Sequence, residues 1–179
     1  DKNREFLRDV PHRTFLDLSV VFYVLIEINC NGTAAMPVKY SHIKRWGIEG
    51  SALWDAAVEN VKQLLPAEFF TMRHALKECI EQKTFTDRAE NLLSEPEMQR
   101  DSMYVLSNRI RSYGAACIAY PHVLEMIGGI LGEDFYVLPS SVHEVVIVPA
   151  SSGVGCRDMD EMVAEVNRTQ VAPEEVLSD

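Results

Sequence analysis

The segment from Met103 to Pro149 restricts the fold more than any other, because each change of hydrophobic period in it is marked by a boundary residue. Tyr104, Leu106 and Asn108 alternate with Met103, Val105 and Ser107, the two-residue period of a strand with one buried face. A polar run from Asn108 to Tyr113 closes at Gly114, a residue that tolerates positive φ. Ala115 to Ala119 is small and apolar, as expected of a strand lying close beneath a helix. Pro121 stands at a first helical position, where its missing N–H costs nothing. Val123, Leu124, Ile127, Ile130 and Leu131 follow at helical spacing, with Gly132 just past the end as a C-cap. Phe135–Leu138 and Val145–Val148 read as strands joined by a turn at Pro139-Ser140-Ser141. The spacing predicts a local ββαββ unit, and with it an α+β fold.

The chain before this segment repeats the theme less regularly. Residues 2–9 suggest a short helix ended by Pro11. Leu16, Leu18, Val20, Phe22, Val24, Ile26 and Ile28 form one apolar face, which predicts a long central strand with that face buried. Asn31-Gly32 predicts a hairpin, with a return strand over 34–39 that Pro37 pushes towards a sheet edge. A helical turn is expected from Tyr40 to Trp46, ended by Gly47, and a longer helix over 51–65 capped by Ser51. Another helix is expected over 71–82. Residues 83–102 are polar, contain Pro96 and keep no apolar period, so they read as a linker between two halves. Residues 35–43 align with 115–123 on shared Ala, Tyr and His, as a duplication or two chance strand-to-helix junctions would both produce. The expected architecture is a single α+β domain over 1–179. In it, helices at 51–65, 71–82, 121–131 and 158–168 cover one antiparallel sheet built from the strands of both halves.

Charge narrows the function. Lys and Arg number 17 against 27 Asp and Glu, a net of −10, whereas affinity for nucleic acid comes chiefly from neutralising phosphates. From Asp158 to Asp179 seven acidic residues face one basic residue. Met159, Met162, Val163 and Val166 nevertheless keep helical spacing there, after a capping-box-like Asp158 and Glu161, so a packed helical cover is expected and not a tail. No segment is long and apolar enough to suggest a membrane span. Cys30, Cys79, Cys117 and Cys156 are scattered without a C-x-x-C pair, which fits a reduced, cytoplasmic setting.

The segments VPHRTFLDLSVVFYVL, IKRWGI, MYVLSN, LPSSVHEVVIVP and, most specifically, EVNRTQVAPEEVLSD resemble an uncharacterised bacterial family known only as a domain of unknown function. The resemblance covers nearly the whole chain. It implies a further region before Asp1 and a short tail after Asp179, so that this sequence is a fragment of a longer protein. It implies no activity, cofactor or residue role.

Chemistry-bearing residues are few. Ser140, Ser141, His143 and Glu144 are the catalytic candidates, since a nucleophilic serine needs a base within reach and an acid to orient it. On a strand, however, Ser141 and His143 share a face that Glu144 does not, and a turn with backbone-bonded hydroxyls explains the same residues. His143-Glu144 opens like H-E-x-x-H, but Ile147 stands where the second histidine belongs. Asn167 and Arg168 are binding candidates, or else a helix end with a paired arginine. No metal ligands are spaced for a site, although His42 and His122 would approach each other in a true duplication. No glycine cluster matches a nucleotide loop, so no cofactor is expected. The leading expectation is a non-enzymatic cytoplasmic binding or regulatory module of a larger bacterial protein, with a protein partner and neither nucleic acid nor membrane. The alternative is a hydrolase using the Ser140–Glu144 loop.

Overall fold

A computed structural model describes residues 3–29, 32–81, 91–94 and 101–178. The fold is α+β with antiparallel strands throughout. The chain forms two compact units, residues 1–64 and 65–179.

The first unit begins with helix α1 (Arg4–Asp9), which Pro11 prevents from continuing. Strands β1 (His12–Phe15) and β2 (Leu18–Val21) pair as a hairpin, followed by β3 (Tyr23–Asn29) and β4 (Gly32–Pro37) as a second two-stranded sheet. The single long strand expected over Leu16 to Ile28 is therefore replaced by a hairpin and a separate strand. Leu16 is the reason: it adopts φ +55 in the turn and stands 81% exposed. A leucine there continues the apolar alternation and hides the turn from a periodicity argument. The face expected to be buried is also mostly open, for only Phe22 of its residues is buried. The Phe22 ring meets Trp54 edge-on at 6.3 Å, and its carbonyl accepts the Val38 N–H at 2.8 Å. The guanidinium of Arg13 lies 4.4 Å above the same indole. Between Leu25 and Glu27 the β3–β4 register shifts, leaving Ile26 as an extra residue. Helices α2 (Tyr40–Trp46) and α3 (Gly50–Leu64) complete the unit. Gly47 ends α2 at φ +68, as its position implied, while Ser51 lies inside α3 and not at its cap.

The second unit holds a four-stranded sheet. Strand β5 (Ala67–Thr71) leads into α4 (Met72–Glu81), and β6 (Tyr104–Asn108) follows. A 3-10 helix (Gly114–Ala119), α5 (Val123–Leu131), the hairpin β7 (Phe135–Pro139) and β8 (Val145–Pro149), and α6 (Cys156–Thr169) complete it. The order β5-β6-β8-β7 puts β6 inside, and all five of its residues are buried. Phe69, Phe70, Leu106, Ile127, Ile147 and Val148 form the core, with Met159 of α6 buried beside Met162, Val163 and Val166 at partial exposure. The acidic segment is thus helical as far as Thr169, with Met159 packed inward.

Further expectations change here. Among the described residues the strands form three sheets, none of which takes strands from both units. Ala115–Ala119 is 3-10 helix and not strand: a short run without a β-branched pattern can take either form, and Cys117 bonds Ser107 O while Ala115 bonds Val142 O. Its alignment with residues 35–43 therefore joins unlike structures. Pro121 lies in the turn before α5, whose N-cap is His122 at φ +66. Helix α6 starts at Cys156, with Gly155 and not Asp158 as its N-cap. Of residues 83–102, 83–90 and 95–100 lie outside the described residues. Leu92 is buried, and its N–H donates to Phe69 O at 2.8 Å. Strand β5 was missed because AEFFT is short and abuts a helix without a turn residue between.

Candidate functional site

The loop between β7 and β8 carries Ser140, Ser141, His143 and Glu144, and the structure brings all four together. Ser141 is buried, and its hydroxyl donates to Glu144 Oε1 at 2.7 Å. Ser140 donates to the same oxygen at 3.3 Å, while Ser141 Oγ accepts the His143 N–H at 3.0 Å. The Ser141 N–H closes the loop on Glu144 O at 3.1 Å. Glu144 therefore accepts both hydroxyls, and neither reaches the imidazole.

His143 is engaged at both ring nitrogens. Nδ1 accepts the backbone N–H of Tyr113 at 3.2 Å, so a neutral ring carries its proton on Nε2, which faces Glu175 Oε1 at 3.2 Å. The Val142 N–H adds a bond to Glu175 O at 2.9 Å. A serine hydrolase needs the hydroxyl on a free imidazole nitrogen. This arrangement instead ties three segments together: the β7–β8 loop, the loop after β6 and the C-terminal turn.

The loop after β6 is held from within by Asn108, which is fully buried. Its Nδ2 donates to Ser112 O at 2.6 Å, and its Oδ1 accepts the N–H groups of Ile110 and Ser112 at 3.1 and 3.3 Å. These bonds hold Arg111 at φ +53 and Tyr113 at φ +54. The left-handed turn thus falls on residues with side chains, which costs of order 1 kcal/mol each. Gly114 is needed for a different reason than the one its position implied. A Cβ there would overlap Ser107 Oγ and the carbonyl of His143.

Sequence reasoning missed the charged cluster built on this loop. Arg111 Nη1 donates to Glu68 Oε2 at 2.7 Å and to Asn108 O at 2.9 Å, while Nη2 reaches Glu78 Oε2 at 3.3 Å. The guanidinium lies 4.1 Å over the Phe70 ring, and the other oxygen of Glu78 meets His74 Nε2 at 3.1 Å. Strand β5, helix α4 and the loop supply these groups, so no single stretch of sequence displays them. The cluster is chemically closed, since Arg111 is forked between two carboxylates and packed on an aromatic face.

Of the remaining candidates, Asn167, His42 and His122 have local partners. Asn167 donates from Nδ2 to Ser178 O at 2.8 Å, tying the chain end to α6, while Arg168 beside it is exposed. His42 Nδ1 accepts the Lys39 N–H at 3.2 Å at the start of α2, and His122 Nδ1 faces Glu125 Oε2 at 2.9 Å. Among the described residues, no group of three or more His, Cys, Asp or Glu is placed to hold a metal ion. The Cys117 thiol is pushed up to about 12 by burial, with a side-chain hydrogen bond to Tyr120 opposing the rise. Burial likewise raises the Tyr120 phenol.

A family model described as a family of unknown function, DUF5688, matches residues 1–179. The chain belongs to that family. No curated protein and no solved structure matches it. Membership agrees with the sequence resemblance and attaches no reaction to the Ser140–Glu144 loop. Among the described residues, no helix is long and apolar enough to cross a membrane.

Proposed function

We propose that this chain is a non-enzymatic bacterial binding or regulatory module, acting in the cytoplasm on a protein partner. The observation that carries this reading is the β3–β4 hairpin, where Ile26 is 64% exposed, Ile28 44% and Met36 40%. A two-stranded sheet is marginal in water by itself, and large apolar side chains left exposed on one mark a surface that another protein covers. The net charge of −10 weighs against a nucleic-acid partner. The hydrolase reading is weaker, because Ser141 bonds Glu144 while both His143 nitrogens are occupied elsewhere.

The test is affinity capture from native extract, read by mass spectrometry, with the parent chain and Ile26→Asp in parallel. A protein retained by the parent and lost with the variant is the expected result. Equal retention by both chains, or a captured small molecule that is turned over, overturns the reading.

A further inference from the structure

The four-stranded sheet treats its two edges differently. The outer edge of β5 is closed: Asn91 Oδ1 accepts the Phe69 N–H at 3.1 Å, Asn91 Nδ2 donates to Ala67 O at 3.3 Å, and the Leu92 N–H donates to Phe69 O at 2.8 Å. A short piece of chain thus acts as a false strand and satisfies that edge. Strand β7 lies at the opposite edge and pairs only with β8 among the described residues. Its sequence, FYVLP, contains no charged residue, and only Pro139 at its end is of the kind that discourages further pairing. Tyr136 and Val137, which point to opposite faces, are 43% and 37% exposed.

The charge near this edge is predominantly acidic. Exposed Asp134 precedes the strand, and α6, which lies against β7, presents Asp158, Asp160, Glu161 and Glu165 to solvent against two exposed cations, Arg157 and Arg168. A second copy pairing edge to edge would bring these carboxylates against their own images, on a chain of net charge −10. We propose that β7 is a docking edge for an extended basic peptide segment of a partner protein, which adds a strand to the sheet and sets its cations against Asp134 and the acids of α6. Main-chain bonds to β7 supply the affinity, and the acidic rim selects the charge. The proposal rests on the binding-module reading but uses a different surface from the β3–β4 hairpin.

The experiment titrates the intact chain against fluorescent peptides alternating lysine with valine, glutamate with valine, or lysine with proline. Hydrogen exchange is then read over 135–139. Saturable binding of the lysine–valine peptide alone, with slowed exchange at 135–139, is expected. Val137→Pro should weaken it by at least about tenfold. Asp134→Lys, at an exposed position, should weaken it while leaving the urea midpoint unchanged, which covers the case in which the proline variant does not fold. Binding of the lysine–proline peptide equal to that of the lysine–valine peptide, or slowed exchange confined to other residues, overturns the proposal. So does a peptide-independent dimer that protects β7. Ile26→Asp should leave peptide binding intact, so failure of the hairpin reading and failure of the edge reading are separable.

Discussion

The Ser141 hydroxyl donates to Glu144 Oε1 at 2.7 Å, three residues along the same loop. Because Ser141 is buried and its oxygen also accepts the His143 N–H, the pair acts as the internal brace of the β7–β8 hairpin. Ser141→Ala should therefore destabilise the fold by about 1–2 kcal/mol, the cost of unpairing buried polar groups. It should have no counterpart in reactivity: a fluorophosphonate probe should leave Ser140 and Ser141 unlabelled in the parent. Stoichiometric labelling of either serine, seen by peptide mapping, would falsify the structural role and revive hydrolysis.

Gly114 offers a sharper test of the loop after β6. A methyl group there must displace Ser107 Oγ and the His143 carbonyl, and the latter is backbone of a different strand connection. Gly114→Ala should cost about 1–3 kcal/mol through forced repacking, even though its φ suits alanine. Gly129→Ala, with open space around its Cβ position, should be neutral or mildly stabilising. Equal urea midpoints for the two variants would mean that the loop can shift freely.

The cysteines should separate by reactivity. Cys156 is exposed at the start of α6, whereas Cys117 is fully buried and its thiol is pushed up to about 12 by that burial. A raised value leaves Cys117 in the unreactive thiol form at pH 8, because the thiolate is the nucleophile. Iodoacetamide at pH 8 should modify Cys156 in the native chain and Cys117 only after urea unfolding. Early modification of Cys117 would show that the 3-10 helix opens far more readily than its packing implies.

Much of the second unit was legible because its boundary residues act locally. Gly132 sits at φ +70 where the pattern placed a C-cap, and the two apolar runs around Pro139 to Glu144 do pair as a hairpin. In the first unit the same reasoning failed at Leu16, where a residue suited to a strand makes a turn. Periodicity cannot register a turn that leaves the alternation intact.

The sequence alone determined the α+β class, most helix spans, the family, and the acidic balance that argues against a nucleic-acid partner. The family rests on the resemblance of whole segments, and the others follow from composition or from contacts within a few residues along the chain. Only the tertiary structure decided that the described strands divide among three sheets, that the Glu144 carboxylate and not the His143 imidazole accepts the serine hydroxyls, and that Arg111 joins Glu68 to Glu78. The sheet pairing and the Arg111 bridge depend on elements far apart in sequence, and the serine–glutamate bonds on the conformation of the β7–β8 loop. Hydrogen-bond geometry fixes such choices at the scale of an ångström, and residue spacing carries no record of it.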